Sequence, residues 1–113
     1  MQTGWIGLGG MGEAMARRLA ERGLLARAWN RTPARAVQAL AGLDVPLAPS
    51  AAELARDVRL LFLSLADDAA VHAVVDSIEP VLAPGTLIID TSTTAPATSR
   101  MLARRLALRQ VRF

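Results

Sequence analysis

The 113-residue chain contains no cysteine, no lysine and no tyrosine, and its aromatic side chains are two Trp and two Phe. Without cysteine there is neither a disulfide framework nor a thiolate metal site. With no lysine, all 13 basic residues are Arg. Long hydrophobic runs are missing as well. The longest charge-free stretch, Met1 to Gly12, has 12 residues, against the ~18 a membrane span needs. No basic segment leads into an apolar one, so no secretory signal is expected, and the expectation is a soluble cytoplasmic protein. What is abundant is Ala (22), Leu (17) and Arg (13), together 52 of the 113 residues. A hydrophobic fraction of 52% with 20% charged residues excludes a disordered or collagenous chain. The length corresponds to one domain or part of one.

The net charge of +3 is unevenly placed. Residues 1–99 carry 8 Arg against 10 acidic residues, a net −2. Residues 100–113 carry Arg100, Arg104, Arg105, Arg109 and Arg112 with no acid, a net +5. A basic tail can bind nucleic acid. Here the Arg are spread through an Ala/Leu helical pattern with no interleaved aromatics, which reads as a solvated or partner-facing helix surface. Neither nucleic acid nor a membrane is an expected partner.

Short apolar runs alternate with helical segments. Strands are predicted at residues 2–7, 25–29, 58–65 and 86–90, with a weak one at 45–48. Residues 111–113 read as the start of a sixth. The run Val58 to Leu65 is apolar almost throughout, which suits a strand covered on both faces. Helices are predicted at 11–22, with Gly23 stopping it, and from Thr32-Pro33 through Val37 and Leu40 to Gly42. A short helix at 50–56 opens on a Ser50/Glu53 capping box. Another runs from Asp67-Asp68 toward Leu82, interrupted near Pro80, and the last spans 96–108. This alternation implies βαβ units and an α/β fold of the Rossmann type, a doubly wound parallel sheet in strand order 3-2-1-4-5. The sheet is expected to stop before a complete sixth strand, leaving its fifth strand with an exposed edge.

Gly7-Leu8-Gly9-Gly10-Met11-Gly12 contains G-x-G-x-x-G between a strand and a helix. Glycines alone are a weak signal; the strand–turn–helix setting makes this one specific for a dinucleotide. Gly7 permits the turn, Gly9 lets backbone approach a pyrophosphate, and Gly12 lets helix and strand pack closely. The helix N-terminus offers free N–H groups to the phosphates. At the end of the second strand, 18 residues past Gly12, stands Asn30-Arg31-Thr32 where an NAD site would place a carboxylate. A carboxylate repels a 2′-phosphate, whereas neutral Asn beside Arg accepts one, so NADP is favoured over NAD. The alternative is that Asn30 turns the chain and Arg31 is merely solvated.

Asp90-Thr91-Ser92-Thr93-Thr94-Ala95-Pro96 lies at the carboxyl end of a strand, where open α/β sheets bind ligands. Its hydroxyls suit a substrate carboxylate or a ribose, although hydroxyls before a Pro-led helix are more often caps. His72, the only histidine, falls within an apolar helix and reads as packed or surface-lying. Asp67 and Asp68 at a helix start read as complementing its dipole rather than as an acid–base pair or metal site. No catalytic residue and no metal-ligand set is identified.

These residues together resemble the β-hydroxyacid dehydrogenases, the group of the 3-hydroxyisobutyrate, tartronate semialdehyde and 6-phosphogluconate dehydrogenases. The run Ile6 to Gly12 followed by Met15-Ala16 is similar to that family's I-G-L-G-x-M-G-x-x-M-A signature. Asn30-Arg31-Thr32 looks like its NADP-type strand end, Leu63 to Val71 like its L-x-L-P-D-D-x-x-V loop, and Asp90 to Pro96 like its D-x-S-T-x-x-P segment. The resemblance covers all 113 residues. It implies that Gly7, Leu8, Gly9, Gly10, Met11, Gly12, Asn30, Arg31 and Thr32 bind NADP. It further implies that Leu65 and Ala66 line the ribose, that Thr93 meets the nicotinamide end, and that Ser92, with Thr93, lies near the substrate. Ala66 stands where the family usually has Pro, and Arg18 where many members have Asn.

Members of the family continue into a substrate loop and a helical domain that opens with a catalytic Lys. The resemblance therefore implies an incomplete N-terminal dinucleotide-binding domain, residues 1–113, of an enzyme acting on a small 3-hydroxy acid. This chain alone holds no Lys and is expected to be inactive. Self-association, or pairing with a C-terminal catalytic domain, is the expected partnership. A non-catalytic dinucleotide-binding module and the cofactor half of an imine reductase remain as alternatives.

Overall fold

The computed structural model describes residues 2–113. Strand β3 (Leu60–Leu63) turns Leu61 and Leu63 into one apolar layer and Phe62 into another, so both of its faces are covered as its apolar run predicts. It lies inside a four-stranded parallel sheet of order β2-β1-β3-β4, in which β1 is Thr3–Ile6, β2 is Arg27–Trp29 and β4 is Leu87–Asp90. The fold is the predicted α/β, Rossmann-type architecture.

Helices α1 (Gly10–Glu21) and α2 (Pro33–Ala39) cover one face, where Ala16, Ala36 and Ala39 pack with Trp5 and Ala28. Helices α3 (Ala51–Asp57), α4 (Asp68–Ile78) and α5 (Pro96–Ala107) cover the other, where Leu54, Val71, Val75, Leu102 and Leu106 surround Ile6, Leu61, Leu63 and Ile88. Each fully buried Leu or Ile contributes roughly 1.5–3 kcal/mol by leaving water, which is what holds five short helices to a small sheet. Among these helices none is long and apolar enough to cross a membrane.

Several expectations are corrected. The weak strand at 45–48 reduces to one bridge, Leu47 with Ala28, because Pro46 has no N–H to extend a ladder. It does sit at the predicted edge, with the Ala28 N–H donating to the Pro46 carbonyl at 3.1 Å. Residues 111–113 form one bridge, Arg112 with Leu87, so part of the β4 edge is paired rather than open. The helix does run through Val37, which is 62% exposed; its buried stripe is Ala36 and Ala39, continued by Leu40 at the C-cap. Thr32 occupies the N-cap of α2 but its side chain makes no capping bond. The predicted interruption near Pro80 is a short 3₁₀ turn at Glu79–Val81.

Candidate functional site

All four strands run parallel, so the loops following them gather at one edge of the sheet. The first is the glycine turn. Gly7 has φ +103°, and a Cβ there would lie 2.0 Å from the Ser64 carbonyl oxygen. A Cβ on Gly12 would lie 2.4 Å from the Gly7 carbonyl oxygen. Both neighbours are backbone and cannot step aside, so only glycine lets β1, α1 and the loop after β3 approach this closely. Gly9 is different: nothing lies within 4 Å of its virtual Cβ, and it faces open space. It is the N-cap of α1 without any side-chain cap. The N–H groups of Gly9, Gly10 and Met11 find no acceptor among the described residues. A 12-residue helix thus presents an open, positively polarised end.

The second loop follows β2. The Asn30 side chain is a strut: its Oδ1 accepts from the Leu8 N–H at 3.0 Å, and its Nδ2 donates to the Thr32 carbonyl at 3.1 Å. Arg31 and Thr32 are exposed, and among the described residues neither side chain makes a hydrogen bond or ion pair. The tip of β2 therefore carries one uncommitted guanidinium and no carboxylate.

The third and fourth loops follow β3 and β4 and are bonded to each other. The Thr91 N–H and hydroxyl both donate to the Leu63 carbonyl, at 2.8 and 2.7 Å. Ser92 Oγ accepts from the Leu65 N–H at 2.7 Å, and the Ser92 N–H donates to Asp90 Oδ1 at 2.9 Å. A hydroxyl that accepts in this way still has its own proton to donate. Thr93 is exposed. None of these hydroxyls caps α5, whose N-cap is Ala95. That end is tied down by Asp68, which accepts from the Ala95 N–H at 3.2 Å and from the Thr98 hydroxyl at 2.7 Å. Asp67 caps α4 through the Ala70 N–H at 2.9 Å, as its position predicts.

The loops enclose one groove of about 900 Å³. Gly7, Gly9, Met11, Asn30, Arg31, Thr32, Leu65, Ala66, Ser92 and Thr93 all line it. Leu8, Gly10 and Gly12 do not. Leu8 is fully buried, its N–H taken by Asn30, and Gly12 is buried on the side of α1 that packs against the Gly7 carbonyl and Ser64. His72 does not line the groove. Sequence reasoning missed Trp29 and the α4 face formed by Ala70, Ala73, Val74 and Ser77. The signal was there: small residues recur at i, i+3 and i+7 directly after the strand, leaving room beside the helix.

The donor set and shape suit a dinucleotide: free N–H groups for phosphates, a cation at one end, free hydroxyls at the other. The profile of the family described as the NAD binding domain of 6-phosphogluconate dehydrogenase matches residues 2–113. No curated protein sequence matches the chain. Among solved structures, an imine reductase from Streptomyces aurantiacus is similar, with 33% identity and a TM-score of 0.87 over 99% of this chain and 39% of its own. A reductive aminase from Aspergillus terreus, in complex with NADPH and ethyl levulinate, shows 31% identity and a TM-score of 0.87 over 97% of this chain and 38% of its own. The 3-hydroxyisobutyrate dehydrogenase of Mycobacterium tuberculosis shows 25% identity and a TM-score of 0.89 over 98% of this chain and 38% of its own. The chain thus spans about two fifths of the length of these structures. It belongs to the family of the 6-phosphogluconate dehydrogenase NAD-binding domain, as a dinucleotide-binding domain of the kind found in hydroxyacid dehydrogenases and imine reductases.

Proposed function

We propose that the chain is the NADP-binding portion of an oxidoreductase that moves a hydride between the cofactor and a small 3-hydroxy acid. The observation that carries the cofactor choice is Arg31, uncommitted and exposed at the tip of β2, with the neighbouring Asn30 neutral and bonded into the glycine turn. A guanidinium presents a planar fork to a phosphate, and no carboxylate at this strand end opposes a 2′-phosphate. Thr32, its hydroxyl unused by the helix, adds a second donor there.

In this reading the open N–H groups of Gly9, Gly10 and Met11 hold the pyrophosphate. Leu65 and Ala66 line the ribose, and Thr93 meets the nicotinamide end. Ser92, its oxygen occupied by the Leu65 N–H, offers its proton to the substrate. When bound, the nicotinamide supplies or receives the hydride. The chain binds and orients it. Proton transfer requires a positioned acid or base near the reacting carbon. The groove holds no Lys and no His, and its one carboxylate, Asp67, is committed to capping α4, so in this reading the chain by itself orients without turning over.

A second reading is favoured by the identities: 33% to the imine reductase against 25% to the hydroxyisobutyrate dehydrogenase. The cofactor half then serves reduction of a C=N bond. Both readings share the same first test, a calorimetric titration of the chain with NADPH and NADH. Tighter binding of NADPH is the expected result. Equal affinities overturn the NADP assignment, and failure to bind either overturns the dinucleotide reading.

A further inference from the structure

Trp5 sits in the middle of β1, only 1% exposed, on the face covered by α1 and α2. Its ring stacks on Phe62 of β3, with centroids 5.1 Å apart and 13° between the planes. Any flat apolar ring would satisfy that contact. The indole also carries an N–H, and a buried indole donor needs an acceptor. It finds one in the glycine turn: Nε1 donates to the Gly7 carbonyl at 2.8 Å.

That bond completes a clamp. The Gly7–Leu8 peptide is held from both sides, its carbonyl by Trp5 and its N–H by Asn30 Oδ1 at 3.0 Å. The following carbonyl, that of Leu8, accepts from Arg35 Nε at 3.2 Å. Three side chains, from β1, the loop after β2 and α2, thus fix two consecutive peptide groups. The N–H of the second peptide is that of Gly9, and those of Gly10 and Met11 follow it; none of the three has an acceptor among the described residues. Gly7 has no side chain to resist rotation of its own peptide. Among the described residues Trp5 is the only donor to the Gly7 carbonyl.

We propose that Trp5 is a positioning residue of the phosphate-binding turn: its indole N–H holds the Gly7 peptide so that the three open N–H groups are pre-set for a pyrophosphate. The inference rests on the reading of the groove as a dinucleotide site. Its signature differs from that of Arg31. Trp5 acts on the part common to both cofactors, so its loss does not change the preference between them. A pre-set donor array binds more tightly because less ordering remains to be done on association.

Two replacements isolate the N–H. Trp5→Phe keeps an aromatic ring against Phe62 and deletes the donor. Benzothienylalanine at position 5 also keeps the bicyclic shape, with sulfur in place of the N–H, and guards against a variant that merely fails to fold. The purified chain and both variants are titrated by calorimetry, below each melting temperature, with NADPH, NADH and adenosine 2′-phosphate, which carries no pyrophosphate. Both replacements are expected to weaken NADPH and NADH by the same factor, about tenfold, and adenosine 2′-phosphate by less than about twofold. Unchanged dinucleotide affinity with a lowered melting temperature would show a purely structural bond and overturn the proposal. An equal loss for adenosine 2′-phosphate would also overturn it, as general damage. A wild-type chain that binds neither dinucleotide fails earlier, and removes the groove reading together with this one.

Discussion

The Ser92 hydroxyl accepts a hydrogen bond from the Leu65 N–H at 2.7 Å and so joins the loops that follow β3 and β4. These two residues are 27 positions apart, and each belongs to one side of the groove. Ser92→Ala leaves the Leu65 N–H without its partner, at a cost of about 1–2 kcal/mol. The expected readouts are a lower urea midpoint and faster amide exchange at Leu65. Ser92→Thr retains the acceptor and should recover most of the loss. Unaltered exchange at Leu65 in the alanine variant would rule the tie out.

The glycines of the turn are expected to separate folding from binding. Gly12→Ala drives a methyl against the Gly7 carbonyl oxygen, 2.4 Å away, and α1 must shift to relieve it. Overpacking against backbone should cost about 2–3 kcal/mol in denaturant unfolding. Gly9→Ala meets nothing within 4 Å and keeps an extended backbone at φ −91°. Its stability should change by less than about 1 kcal/mol, while NADPH affinity falls, because the new methyl stands where a pyrophosphate would approach. Equal stability losses in the two variants would contradict the geometry.

On the proposed assignment, Arg31→Asp should lower NADPH affinity by about 10- to 100-fold and leave NADH within about threefold, because it would replace a charge-assisted bond to the 2′-phosphate with repulsion. Raising the salt concentration should narrow the difference, because Arg31 is exposed. Equal losses for the two cofactors would remove the 2′-phosphate assignment.

Arg105 braces α5 to α4, its Nε donating to Glu79 at 2.7 Å and a terminal nitrogen donating to Asp76 at 2.7 Å. The hydrogen bond to Glu79, and then that to Asp76, raises the guanidinium above its ordinary pKa. A raised folded-state pKa contributes stability that is complete below the unfolded value and lost only as pH climbs through the folded one. For an arginine that window is strongly alkaline. The stability difference between wild type and Arg105→Ala should therefore stay constant from neutral to mildly alkaline pH. Because the guanidinium is about a third exposed, the difference should be no more than about 1 kcal/mol, and smaller in high salt. Urea midpoints at two pH values and two salt concentrations check both points.

Periodicity and turn chemistry carried the fold a long way. The order of elements, the buried β3, the Ser50–Glu53 cap at 3.1 Å and the stop after α1 all follow from local rules. The glycine turn was legible from its strand–turn–helix setting, although the neighbour that forces glycine at position 7, the Ser64 carbonyl, is distant in sequence. What stayed hidden are bonds between residues 22 to 30 positions apart. Asn30 bracing Leu8, Arg35 reaching the Leu8 carbonyl and Asp68 holding the start of α5 depend on how the elements dock, which no spacing rule encodes. Asn30 shows the difference best. Its neutrality was readable as permission for a 2′-phosphate, but its amide is spent on holding the glycine turn in place. The helix through Val37 was legible, but its buried face was not: alanines, weak as a hydrophobic signal, form that face because they let the helix sit close to β2.

The two tryptophans are placed to report on different things. Trp29 is half-buried and borders the groove, whereas Trp5 is sealed beneath the sheet's helical cover. With no tyrosine in the chain, its near-ultraviolet emission comes almost wholly from these two indoles. A ligand entering the groove should quench or shift the component from Trp29 and leave that from Trp5 nearly untouched. Loss of the core should redden Trp5. The protein therefore carries an unlabelled two-channel optical probe, in which occupancy and integrity can be followed in the same cuvette.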